Sequence, residues 1–145
     1  MLVDLKSQAL THKVILLIAH CLADTHPETM RTVADYYDHK EALFLKGFME
    51  EESLVGIVGY AYKAPSHILM THLAVDPEYR GKGVATRMLR ELVETEAIKW
   101  IGAESTAAAV PFYQKLNFQC ISKSNRDDGE NHFTCEWKQG ESEAF

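Results

Sequence analysis

The sequence predicts an α/β (α+β) fold, with helices packed in layers around one mixed sheet. Two observations carry that reading. The apolar period switches along the chain, in the order two helices, three strands, helix, strand, helix, two strands. The chain of 145 residues is also the size of a single core, so one domain over residues 1–145 is expected.

The elements follow in order. Leu10, Val14, Leu17 and Cys21 fall at helical spacing, and the apolar residues 14–18 alone would also suit a buried strand. Thr25 with Glu28 three residues later fits a capping box for a second helix, whose Met30, Val33 and Tyr37 line one face. Residues 42–49 and 54–63 read as strands around the polar turn 50–53, and the turn 64–66 with Pro65 leads to a third strand at 68–75. Gly56 and Gly59 inside the second strand weaken it unless a backbone or ligand must approach closely there, and they hint at local bends.

A helix then carries Val84, Met88, Leu92 and Ala97 on one face, beside Ala85, Leu89 and Val93. Residues 98–103 read as a short strand, and residues 105–116 as a loop and helix with Pro111 near its first turn. Two last strands, 118–122 and 132–137, flank the polar turn 125–129.

Composition narrows the function classes. Hydrophobic residues make up 46% and charged residues 25%, the balance of a water-soluble globular protein. The formal net charge of -6 lacks the basic stripe of a nucleic-acid binder and favours cationic small molecules or basic peptides. The apolar run 14–19 is too short to span a bilayer, and Met1-Leu2-Val3-Asp4 has no basic leader, so no membrane partner and a cytoplasmic location are expected. Cys21, Cys120 and Cys135 lack metal-site spacing and read as small buried residues in a reducing compartment. Cys120 and Cys135 fall in two neighbouring candidate strands, where an incidental cross-strand pair can form. The histidines make no ligand pattern, and no metal is expected.

Chemistry concentrates in Leu73-Ala74-Val75-Asp76-Pro77-Glu78-Tyr79-Arg80-Gly81-Lys82-Gly83-Val84-Ala85. A strand ends, Pro77 stops it, and Gly81 and Gly83 bracket the entry to an amphipathic helix. The unpaired amides and positive dipole end of a helix N-terminus attract anions, and glycines let the main chain approach a phosphate. Arg80 and Lys82 add positive charge there. Neither the P-loop pattern nor the dinucleotide fingerprint is present.

The run Arg80-Gly81-Lys82-Gly83-Val84-Ala85 resembles the Arg/Gln-x-x-Gly-x-Gly/Ala signature of the GNAT superfamily of N-acetyltransferases. The run Ala109-Val110-Pro111-Phe112-Tyr113-Gln114-Lys115-Leu116-Asn117-Phe118 is similar to its second motif, and element order agrees along almost the whole chain. The resemblance implies a mostly antiparallel central sheet flanked by about four helices, split between its fourth and fifth strands. It implies acetyl-coenzyme A as co-substrate and a primary amine of a small molecule or peptide as acceptor, joined in a ternary complex. Main-chain amides of Arg80, Gly81, Lys82, Gly83, Val84, Ala85 and Thr86 would hold the pyrophosphate. Leu73, Ala74 and Val75 would pair with the pantetheine arm, and Thr106, Ala109 and Phe112 would border it.

In the same resemblance Tyr113 would be the general acid for the departing thiolate, and many relatives dimerise, so a homodimer enters the expectations. Two departures stand out: Thr106 where the family often has Asn, and Asn117 where Gly is usual. Asn tolerates the left-handed conformation that a helix C-cap needs.

A base is less legible. An ammonium of pKa ~10.4 must lose a proton before it attacks. His72 titrates in the useful range, yet strict strand alternation points it away from the face of Leu69, Thr71 and Leu73; a bulge would reverse that. Glu104, just past the fifth strand, is the other candidate, and Asp35, Tyr36 and Tyr37 are candidates for the acceptor pocket. The competing reading is a coenzyme A-binding regulatory or degenerate domain without turnover.

Overall fold

The computed structural model describes residues 1–5, 11–20, 26–123 and 132–145. Its strands are β1 (Leu2–Asp4), β2 (Leu43–Glu50), β3 (Ser53–Ala64), β4 (His67–Val75), β5 (Trp100–Thr106), β6 (Gln119–Ser122) and β7 (His132–Lys138). Its α-helices are α1 (His12–Ala19), α2 (Pro27–His39), α3 (Val84–Thr95) and α4 (Val110–Lys115), with 3-10 turns at Pro77–Tyr79 and Ala107–Ala109. The strands form one sheet in the order β1-β2-β3-β4-β5-β7-β6. Every pairing is antiparallel except β4 with β5.

Alternation along the strands feeds two cores. On one face Leu45, Ile57 and Ala74 meet Val14, Leu17 and Ile18 of α1 and Ala34 and Tyr37 of α2. On the other, Val58, Tyr60, Ile68, Met70 and Ile101 meet Val84, Met88, Leu89 and Leu92 of α3, with Leu116 and Phe118 after α4. The 3.6-residue apolar period of α3 therefore lands on the sheet as its spacing demands.

Several boundaries differ from the sequence reading. β1 is an added strand: its three residues are too few to show a period, and it is defined by pairing with β2. β5 starts at Trp100 and runs to Thr106, because it continues beside β7 after its pairing with β4 has ended. Thr25, the expected cap of α2, lies outside the described residues, as do Leu10, Cys21 and the turn 125–129. His26 is the N-cap of α2, its Nδ1 accepting from the Glu28 amide at 3.4 Å, with a proline in the first turn. Asn117 takes the left-handed conformation expected of it, at φ 68°.

The cysteine reading needs correction. Cys120 and Cys135 face each other in the β6–β7 register, with Cα atoms 4.1 Å apart, and form a disulfide. Direct opposition across antiparallel strands brings the two sulfurs together where separate thiols had been expected.

Candidate active site

The ligand-sized space in the protein follows from the parting of β4 and β5. The two strands pair only from His67 to Leu69 against Trp100 to Gly102, then diverge. Beyond that point lies a cavity of about 840 Å³, bordered by Leu73, Ala74 and Val75 from β4 and by Thr106 from β5. The expected split is thus present where the sequence placed it.

One end of the cavity is the turn into α3. Asp76 accepts from the Glu78 amide at 3.0 Å and receives an ion pair from Lys13 of α1, fixing where the chain leaves β4. Hydrogen bonding by Lys13 and the Glu78 amide holds the Asp76 carboxyl below its usual range. Arg80 turns back, its Nε donating to the Val75 carbonyl at 3.3 Å.

Gly81 and Gly83 then take φ of 76° and 75°, values that L side chains avoid, and Gly83 caps the first turn of α3. A Cβ at either glycine would meet nothing within 4 Å, so both face open space. Gly81, Gly83, Val84, Ala85 and Thr86 border the cavity, which presents the amides of a helix N-terminus to whatever enters. This is a shape and polarity that suits a pyrophosphate. The Lys82 ammonium lies 5.3 Å from the centre of the Tyr79 ring, whose residue borders the cavity.

A further wall comes from the Ala107–Ala109 turn and α4. Ala109, Phe112 and Tyr113 border the space, and Tyr113 is held edge-on between Phe112 and Phe118, each ring centre 5.5 Å away. A phenol so packed is directed by its neighbours and has one polar end.

His72 and Thr71 share a wall of the same cavity, and here strict alternation fails. His72 pairs with Gly59 and Met70 with Tyr60, so Thr71 has no partner on β3 and forms a bulge. The bulge puts both neighbours on the side of α2, where the Tyr37 hydroxyl lies within hydrogen-bonding distance of Thr71 Oγ1 and His72 Nδ1. The expectation that His72 points away is therefore overturned. Burial alone pushes its pKa below the ordinary 6.5, keeping the ring neutral near pH 7.

Glu104 borders the cavity at the end of β5, but its side chain is 74% exposed and bonded to Lys123 at 2.7 Å. Its carboxylate is therefore solvated and paired, whereas His72 is half-buried in the cavity wall. Asp35 and Tyr36 do not reach the cavity: Asp35 pairs with His39 at 2.9 Å, and Tyr36 lies exposed under Lys40. Tyr37 stands behind the wall, 1% exposed. Its partnership with Thr71 and His72 was not foreseen; Gly59 was the trace of it, since a Cβ there would collide with the Tyr37 hydroxyl. Among the described residues, no group of three or more His, Cys, Asp or Glu side chains is arranged to hold a metal ion, and no helix is long and apolar enough to cross a membrane.

Comparison with known proteins identifies the family and the fold. Residues 45–120 match the family model described as an acetyltransferase (GNAT) domain. An uncharacterized N-acetyltransferase, YafP of Escherichia coli strain K12, is 35% identical over 66 residues. That match covers 46% of this chain and 41% of the relative, so the chain spans about two-fifths of that protein's length.

Among solved structures, a GNAT family acetyltransferase from Elizabethkingia anophelis with acetyl-CoA bound superposes with a TM-score of 0.66 at 10% identity. The alignment covers 95% of this chain and 97% of that one. The F149A mutant of spermidine N-acetyltransferase SpeG from Vibrio cholerae gives 0.69 at 13% identity, with 97% and 96% covered. At such identities the structures share the fold.

Proposed function

Because the chain belongs to the GNAT acetyltransferase family, we propose that it moves an acetyl group from acetyl-coenzyme A to a primary amine of a small molecule or peptide, by direct attack in a ternary complex. The observation that carries this reading is one cavity running from the open Gly81–Gly83 turn, along the parted edge of β4, to Tyr113 and His72. A coenzyme needs such a path, with its pyrophosphate at the helix N-terminus and its thioester where two proton-transfer groups converge.

The chemistry follows from those neighbours. Leu73, Ala74 and Val75 border the space on β4, where main-chain donors can steady the negative charge that grows on the thioester oxygen. The amine nitrogen bonds to the carbonyl carbon, and the C–S bond breaks with its electron pair going to sulfur. Tyr113 gives the departing thiolate a proton; with a thiol pKa of ~8.5 this help is useful rather than indispensable. His72, neutral and half-buried, takes the proton from nitrogen. Glu104 is set aside by its ion pair with Lys123.

The acceptor is proposed as a cation at neutral pH, which the net charge of -6 attracts. The spermidine acetyltransferase among the fold relatives points to the same class of compound. The competing reading is a coenzyme-binding domain without turnover. The test is release of free coenzyme thiol over a panel of polyamines, aminoglycosides, amino acids and basic peptides, with mass spectrometry of the product. Amine-dependent thiol release and a product about 42 Da heavier that has lost one positive charge support the reading, and inactivity across all four classes argues for the non-catalytic one.

A further inference from the structure

The bulge in β4 and the buried face of α2 bring three polar side chains together that no one element could assemble. Tyr37 Oη sits between Thr71 Oγ1 and His72 Nδ1. Tyr37 is 1% exposed, while Thr71 is exposed and borders the cavity. Gly59 supplies the room, since any side chain there would displace the Tyr37 ring.

A phenol hydroxyl has one proton and so donates to only one of these two partners. Imidazole nitrogen is a far stronger acceptor than an alkyl hydroxyl, so the Tyr37 proton turns to Nδ1 and the Tyr37 oxygen accepts from Thr71. The neutral ring then carries its own hydrogen on Nε2 and has no lone pair to offer there. The one basic position of His72 therefore faces Tyr37, and Tyr37 and Thr71 link it to the cavity. The other ionisable side chains around this cavity are His20, Tyr79, Arg80, Glu104, Tyr113 and Lys115.

We propose that Thr71, Tyr37 and His72 form a proton relay in which Thr71 touches the amine, Tyr37 transmits and His72 stores the proton. The proposal rests on the acetyl-transfer reading of this cavity. The ammonium form of the acceptor first gives one proton to water in the cavity, and once the neutral amine nitrogen has bonded to the thioester carbon it is strongly acidic. Its proton passes to Thr71 Oγ1 as the Thr71 proton moves to Tyr37 Oη and the Tyr37 proton moves to His72 Nδ1. Nitrogen is left as a neutral amide, Thr71 and Tyr37 end neutral, and His72 ends as imidazolium. After the product leaves, the same chain returns the proton to water in the cavity, and Tyr113 regains from water the proton it gave to the thiolate. Thr71 is the residue that meets substrate; Tyr37 is a positioning and transmitting residue.

Four variants and one spectrum test this. Tyr37→Phe and Thr71→Val should each lower kcat by roughly 10²-fold, the low end for losing a general base, with KM for acetyl-coenzyme A unchanged. Thr71→Ser should recover most of the rate lost in Thr71→Val, which a packing role for the methyl group would not allow. The wild-type solvent isotope effect should show a curved proton inventory, and circular dichroism checks that each variant is folded. His72→Gln should match Tyr37→Phe.

If Thr71→Val stays within about twofold of wild type while His72→Gln falls, the histidine acts directly and the relay is wrong, while the transferase reading stands. Should every amine fail with the wild-type protein, that reading fails instead, and the relay is then judged without activity. Nitrogen-15 spectra of His72 must show hydrogen on Nε2 and none on Nδ1 in the neutral ring, shifting toward a mixture in Tyr37→Phe. Hydrogen on Nδ1 in the wild type overturns the proposal.

Discussion

Gly59 of β3 lies directly beneath the hydroxyl of Tyr37, and only the absence of a side chain at that glycine lets α2 reach the bulge in β4. The contact ties a backbone feature of the sheet to a polar group on a helix, and it places His72 in the cavity wall.

Gly59→Ala should therefore act on both stability and rate. The added methyl meets a fully buried ring, an overpacking cost of about 1–3 kcal/mol. The account expects a lower Tm and a kcat decreased in parallel with Tyr37→Phe, measured by thermal denaturation and by thiol release. The double variant Gly59→Ala with Tyr37→Ala should lose less stability than the sum of the two single variants, because the smaller side chain removes the collision.

The Gly81–Gly83 turn makes a separate prediction. Gly83 holds φ at 75°, so Gly83→Ala forces a left-handed conformation costing roughly 1–2 kcal/mol. Gly83→Glu adds bulk and negative charge beside the proposed pyrophosphate. Acetyl-coenzyme A affinity should fall about tenfold in the first and be lost in the second, as read by calorimetry.

Tyr113→Phe keeps the ring between Phe112 and Phe118 and removes only the hydroxyl. Turnover should fall by about tenfold or more while coenzyme affinity is nearly retained. Replacing the natural thioester with one whose thiol leaves more readily should shrink that loss.

The pH dependence follows from two groups with opposite consequences. His72 must be neutral to accept a proton, and burial sets its pKa below 6.5, so kcat/KM should rise with pH through an inflection below 6.5. His72→Gln should flatten that limb. Asp76 has its pKa lowered from 3.8, chiefly by its hydrogen bond from Lys13. Its contribution to stability is therefore complete above 3.8 and lost as pH falls through the lower folded value. Asp76→Asn should be less stable than wild type at pH 7, with the gap closing in acid, as followed by urea denaturation.

The order of elements and the glycine turn into α3 were legible because both are local. The 3.6-residue period of α3, the Pro77 stop and the Gly81 and Gly83 pair each lie within a dozen residues. What escaped the sequence is long-range. β1 exists through its partner Phe48-Gly47-Lys46 in β2, forty or more residues away. The bulge at Thr71 appears only when the β3–β4 register is known, and it reverses the direction that alternation assigned to His72. Glu104 looked equivalent to His72 in one dimension; its pairing with Lys123 across the strand ends separates them. Cys120 and Cys135 likewise became a pair through register.

The central claim is that the open turn before α3 holds acetyl-coenzyme A, and calorimetric titration of the protein with that compound tests it most directly. The account predicts saturable one-to-one binding that Gly83→Glu abolishes and Tyr113→Phe preserves. Absence of binding in the wild-type protein, or full binding by Gly83→Glu, would contradict it.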